Sequence, residues 1–159
     1  MLMPDATPQH EQLKGSIERV TFHSEDSGFC VLRVWVRGHR DLITVIGHAA
    51  SISAGEYIAC EGLWITDRQH GLQFKAKQLQ VILPTTLEGI EKYLGSGLVK
   101  GIGPHFAKKL VKAFGEQVFD VIEQTPERLL ALPGIGEKRK AQVTTAWSEQ
   151  KAIREIMVF

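Results

Sequence analysis

A Gly-Ile-Gly tripeptide occurs twice in this sequence, at Gly101-Ile102-Gly103 and at Gly134-Ile135-Gly136. Basic residues follow each copy: Lys108, Lys109 and Lys112 after the first, Lys138, Arg139 and Lys140 after the second. Glycines at this spacing let a backbone turn tightly and approach a ligand with no Cβ in the way. The isoleucine between them can point inward and pin the turn. Where such a turn opens into a helix, the free N–H groups and the positive end of the helix dipole attract an anion. Lysine and arginine beside it add charge without reading a base. The chemistry is that of holding phosphate, and the two tripeptides with their six basic neighbours are the candidate contacts.

A single Gly-Ile-Gly before a helix is an ordinary turn. Two copies with matched surroundings are not. The segments GIGPHFAKKLVKAFGE and GIGEKRKAQVTTAWSE align over sixteen residues, 33 positions apart. Leu110 matches Val143, Ala113 matches Ala146, Phe114 matches Trp147 and Glu116 matches Glu149. In the first copy Ala107, Leu110, Val111 and Phe114 make an apolar stripe, leaving Lys108, Lys109 and Lys112 toward water. One position departs: Lys140 stands where the first copy has the small Ala107, so its stem must snorkel past the turn.

The elements that must position these residues follow from a change of period. Before Pro84 apolar residues alternate; after it they recur at three and four. The first half predicts five strands, over 13–23, 29–37, 42–47, 56–65 and 72–83, with turn residues between them. Five strands without a helix suit a small OB-like barrel, with an SH3-like barrel as the other candidate. The second half predicts helices over 86–94, 104–114, 118–123, 126–132 and 137–150. Pro104 and Pro126 stand at first helical positions, and Thr125 is the expected N-cap of the latter. The fold class is α+β, barrel first: a tail over 1–12, the barrel over 13–83, a tandem helical domain over 84–150 and the start of a further helix over 151–159. Ile153, Ile156 and Met157 share a face of that last helix, which suggests a fragment of a longer protein.

The barrel has a second candidate surface. Along the second strand, Cys30, Leu32, Val34 and Val36 face one way, and Phe29, Val31, Arg33, Trp35 and Arg37 the other. An aromatic flanked by arginines suits base stacking with phosphate contact. Lys75 and Lys77 on the last strand extend the set. Packing of Trp35 under a loop or against the helical half is the preferred reading, since tryptophan is usually buried in part, and a protein-docking role for this face is as open as nucleic-acid binding.

Composition excludes several classes. In 159 residues there are 19 lysines and arginines against 18 acids, a net charge of +1. The neutrality is local cancellation, because residues 1–83 carry −1 and residues 84–159 carry +2. The chain is too short for two stacked nucleotide-driven lobes. It has no Gly-x-x-x-x-Gly-Lys-Ser/Thr loop, no HExxH and no triad or nuclease constellation, so no enzyme is expected in this stretch. Cys30 and Cys60, with no CxxC, argue against a zinc site or disulfide framework and suit a cytoplasmic protein. No apolar run is long enough to cross a membrane, so no membrane partner is expected.

The doubled units resemble the helix-hairpin-helix family, whose tandem pairs grip DNA backbone phosphates without sequence preference. A barrel followed by such a pair resembles two families: the Holliday-junction protein RuvA, and the N-terminal region of RecD-like superfamily 1 DNA helicases. The run Gly15-Ser16-Ile17-Glu18-Arg19-Val20-Thr21-Phe22-His23, with Gly28-Phe29-Cys30-Val31-Leu32-Arg33-Val34, is similar to the second, as is the stretch from Leu83-Pro84-Thr85-Thr86 through Gly101-Ile102-Gly103-Pro104. The resemblance spans 13–159. It implies a non-catalytic DNA-binding module of a 5′–3′ helicase in repair or recombination. Its partners would be single-stranded, duplex or junction DNA and the helicase's own motor domains. ATP and magnesium would belong to those domains, and this stretch would hold no cofactor. The alternatives are a RuvA-like junction binder and an interdomain module that binds no DNA alone.

Overall fold

The structure, a computed structural model, describes residues 10–157 and their side chains through residue 152. It divides into two compact units, Met1–Ile82 and Leu83–Phe159.

The first unit is a closed barrel of five strands, β1 (Glu11–His23), β2 (Phe29–Trp35), β3 (Ile43–His48), β4 (Tyr57–Asp67) and β5 (Gly71–Ile82). Their order is β1-β2-β3-β5-β4, with β4 returning to β1. All pairings are antiparallel except β3 with β5, which closes the barrel in parallel. Residues Glu11 to Ser16 of β1 pair with β4, and Ser16 to His23 pair with β2. Gly15 makes the change of partner possible, because a Cβ there would lie 2.3 Å from the Trp35 carbonyl oxygen. Glu11 and Gln12, expected in the tail, are thus the first strand residues; His10 before them is exposed, and residues 1–9 lie outside the described residues.

Alternation in β2 places Cys30, Leu32 and Val34 fully inside. Ile17, Val45, Ile58 and Phe74 complete the core from the other strands. Burial of an apolar side chain stabilises by roughly 1.5–3 kcal/mol. Cys30 and Cys60 are both buried and free. Burial pushes the Cys30 thiol up, and pushes Cys60 from 9.0 to about 12. Since the thiolate is the reactive form, neither cysteine should react with an aromatic disulfide reagent in the native chain, and both should react once denatured. The raised values also fix a sign. Above pH 9 an unfolded chain ionises its thiols while the folded one does not, so stability contributed by these groups falls as pH rises past that point.

The second unit is helical: α1 (Leu87–Gly95), α2 (Pro104–Phe114), α3 (Val118–Gln124) and α4 (Glu137–Met157), with short 3-10 segments at Gly115–Gln117 and Pro126–Ala131. Thr86 caps α1, its Oγ1 accepting from the Gly89 N–H at 3.1 Å. Thr125 does not act this way. It makes no side-chain cap, and Pro126–Ala131 closes with i to i+3 bonds instead of an α-helix. Leu132 precedes Pro133 and is extended, as proline demands of the residue before it, so too few residues remain for an α-helix. Tyr93 meets Phe119 edge-on at 5.7 Å, and Phe119 stacks on Trp147 at 4.9 Å. Ile90, Leu94, Leu110, Ile122 and Leu129 pack this core. On α2, Ala107 and Leu110 are buried as expected, but Val111 and Phe114 are only half-buried. Arg128 covers the Phe114 ring at 5.1 Å, because Trp147, its counterpart in the repeat, takes the central position.

The helix expected over 137–150 and the further one expected to start over 151–159 are one helix through Met157. The apolar face expected from Ile153, Ile156 and Met157 lies outside the described side chains.

Candidate nucleic-acid interface

The two Gly-Ile-Gly segments adopt the same local structure. Gly101 and Gly134 have φ of 94° and 89°, in the left-handed region that favours glycine. The Ile102 and Ile135 N–H groups donate to the Val99 and Leu132 carbonyls, both at 3.2 Å. Both isoleucines are buried, so each pins its hairpin as expected. The next helix starts identically: Ala107 N–H donates to the Gly103 carbonyl and Lys140 N–H to the Gly136 carbonyl, both at 2.9 Å.

Each hairpin also packs on the other copy's second helix. A Cβ on Gly101 would come within 3.1 Å of Val143 on α4, and one on Gly134 within 3.3 Å of Phe106 on α2. Gly103 and Gly136 behave otherwise. Neither has positive φ, and a Cβ built on either meets nothing within 4 Å. Neither backbone conformation nor internal packing requires glycine there. Both face open space, at the start of α2 and of α4.

The basic residues sort into three situations. Lys108, Lys112 and Lys138 are exposed. Lys109 and Arg139 converge on one ring, with Lys109 Nζ 5.6 Å and the Arg139 guanidinium 4.3 Å from the centre of Phe106. Lys140 is tied down: its side chain is 20% exposed and its Nζ lies 3.3 Å from Glu137 Oε2. The stem snorkels past the hairpin, and the head meets an acid in the first turn of α4. The α2 helix has no acid in its first turn. The hairpins therefore match in backbone and differ in charge. Phe106 was not legible as a site residue by type. Its signal was positional, since it is the repeat counterpart of Arg139.

On the barrel, the five sequence-derived residues are placed on β2, just beyond it, and on β5. Arg33 is half-buried and its Nη1 donates to Thr44 Oγ1 at 2.6 Å. Trp35 is half-buried at the end of β2, and Arg37 lies exposed beyond it. Lys75 and Lys77 are exposed on β5, with Lys77 the extra residue where the β4–β5 register slips. Only Arg33 lines the cleft of about 520 Å³ on the outer barrel face. Among the described residues no group of three possible metal ligands occurs, and no helix is long and apolar enough to cross a membrane.

Comparison with known proteins agrees with this layout. Residues 10–84 match the OB-fold domain of the ATP-dependent DNA helicase YrrC family. Residues 94–148 match the SAM-like tandem helix-hairpin-helix family. The ATP-dependent RecD2 DNA helicase of Deinococcus radiodurans is 30% identical over 152 residues, which cover 92% of this chain and 21% of that protein. The chain thus spans about a fifth of that relative's length. Two solved structures of OBodies bound to hen egg-white lysozyme align at 10% identity, with TM-scores of 0.36 and 0.37 over 46% and 52% of this chain and 93% and 98% of theirs. With an OB-type barrel, a tandem helix-hairpin-helix and a relative that spans both, the chain has the sequence and fold of the N-terminal region of the RecD-like helicase family.

Proposed function

We propose that this chain is a DNA-binding module whose paired hairpins hold backbone phosphates without reading sequence, within a helicase acting in DNA repair or recombination in the cytoplasm. The hairpin contacts are the N–H groups around Gly101, Gly103, Gly134 and Gly136, with Lys108, Lys109, Lys112, Lys138 and Arg139 supplying charge. Lys140 contributes least, being engaged with Glu137. The partners are DNA and the helicase's own motor domains. ATP and magnesium serve 5′–3′ movement by those domains.

The observation that carries this reading is the open space at Gly103 and Gly136. A glycine that the fold does not require, at the mouth of a helix, leaves room for something outside the chain. Fluorescence anisotropy with a labelled duplex tests it. Gly103→Ala with Gly136→Ala should lower duplex affinity by about tenfold, the scale of a lost charge-assisted hydrogen bond. Thermal stability should change little, because the restriction that alanine puts on the unfolded chain offsets the poorer N-cap it makes at the start of α2. Unchanged affinity in this variant would refute the phosphate grip. Affinity of the parent chain should fall steeply with salt.

A further inference from the structure

We infer, resting on the hairpin reading, that His105 is a phosphate contact of the first hairpin, and that its protonation tightens the unit's hold on a duplex as pH falls.

The repeat supplies the first argument. At the 33-residue offset of the two copies, Pro104 answers to Glu137, His105 to Lys138 and Phe106 to Arg139. The second copy thus opens its helix with fixed charges. The first opens its helix with Pro104, His105, Phe106 and Ala107, with no acid in that turn. His105 is also the one histidine among residues 83–159 of the sequence, and that stretch has no cysteine. Histidine is the side chain that ordinarily changes charge between pH 5 and 8, whereas lysine and arginine stay charged across that range. One hairpin therefore carries a charge that pH can switch, at the position where the other carries a permanent one.

Local geometry supplies the second. Gly103 is the N-cap of α2 and makes no side-chain cap, and Pro104 follows it without an N–H. The first backbone bond of the helix runs from the Ala107 N–H to the Gly103 carbonyl. The N–H groups of His105 and Phe106 precede that bond and point out of the helix end. A Cβ built on Gly103 meets nothing within 4 Å. Helical side chains lean toward the N-terminus, so the exposed imidazole of His105 leans toward that same open space. It meets the Phe106 ring edge-on, with centroids 6.2 Å apart.

The charges around His105 are mostly positive. Lys108 and Lys109 lie one turn along α2, and Arg139 of α4 covers the Phe106 ring. Lys100 lies at the entry to the hairpin. From α1, whose Gly95 backs onto Pro104, the last turn brings Lys92 with Glu91 beside it. A proton added to His105 is matched by an anion from outside the chain. A DNA phosphate at Gly103 supplies that anion, accepting from the His105 and Phe106 N–H groups and from the imidazolium together. Neutral imidazole keeps a single N–H and no charge, so the contact weakens without vanishing.

The test is fluorescence anisotropy of the full chain with a labelled duplex at about pH 5.5 and about pH 8, at equal ionic strength. The parent chain should bind about threefold to tenfold more tightly at the lower pH, the scale of one contact to a charged group. The barrel holds the other five histidines, so the diagnostic is the comparison with variants. His105→Gln should lose most of the gain and bind at both pH values as the parent does at the higher. His105→Lys should bind at both as the parent does at the lower. Calorimetry near pH 6.5 in two buffers of different ionisation enthalpy, at about the middle of the histidine range, should show protons taken up on binding by the parent and fewer by His105→Gln. A gain in His105→Gln equal to the parent's would overturn the assignment and leave the hairpin reading standing; a parent chain that binds no duplex at either pH would sink both. The histidine ring signals of the unsubstituted chain give a readout that needs no variant to fold. Duplex should move the His105 signals most, and movement confined to the barrel histidines would overturn the role.

Discussion

Duplex affinity should fall by roughly tenfold for Lys108→Glu alone, by less for Lys138→Glu, and by more than either when both are present. The scale is that of a lost charge-assisted hydrogen bond. The ranking comes from the surroundings. Lys108 stands on α2, whose first turn has no acid, whereas Lys138 follows Glu137 directly. Both side chains are exposed, so neither reversal disturbs packing. Reversing Lys109 or Arg139 would be a poorer test, since both lie over Phe106 and would confound charge with structure. A plot of log affinity against log salt gives the second readout. Each lost phosphate contact should make its slope shallower by about one. An unchanged slope with weaker binding would mean that the lysines act indirectly.

The largest effect on stability should come from Trp147→Ala, at about 3–5 kcal/mol. Trp147 is 3% exposed and stacks on Phe119, which in turn meets Tyr93. Removing it opens a cavity between α3 and α4 and takes away the support of Phe119. The loss should fall on the helical unit, because the barrel has its own core around Leu32, Val34 and Phe74. Denaturation followed by amide exchange separates the two. Exchange should speed up across residues 87–150 while β2 and β3 keep their protection. Equal loss of protection in the barrel would show that the units unfold as one.

Most of the architecture was readable because it rests on periodicity. Cys30, Leu32 and Val34 alternate without interruption, and β2 folds as that pattern dictates. Pro104 opens α2 where a proline costs no hydrogen bond. The hairpins were readable because a repeat exposes itself by self-comparison. Three things were not. The 3-10 form of Pro126–Ala131 depends on how little chain lies between Thr125 and Pro133, not on propensity. The central place of Trp147 over Phe114 is a tertiary choice between two equivalent aromatics. The placement of Arg19 and Phe22 was not readable, because alternation assumes an unbroken register and β1 breaks it twice. Both line the outer cleft beside Arg33.

The ring of Phe106 has an electrostatic consequence. A carboxylate that orients a cation also cancels it, as Glu137 does to Lys140. An aromatic face orients a cation through its quadrupole and carries no net charge of its own. Lys109 and Arg139 are thus immobilised at full charge. Their field extends from a rigid point instead of being averaged over mobile side chains, and an approaching polyanion meets a potential whose direction is set before it arrives. Phe106→Leu would keep every charge in the unit and loosen only that direction.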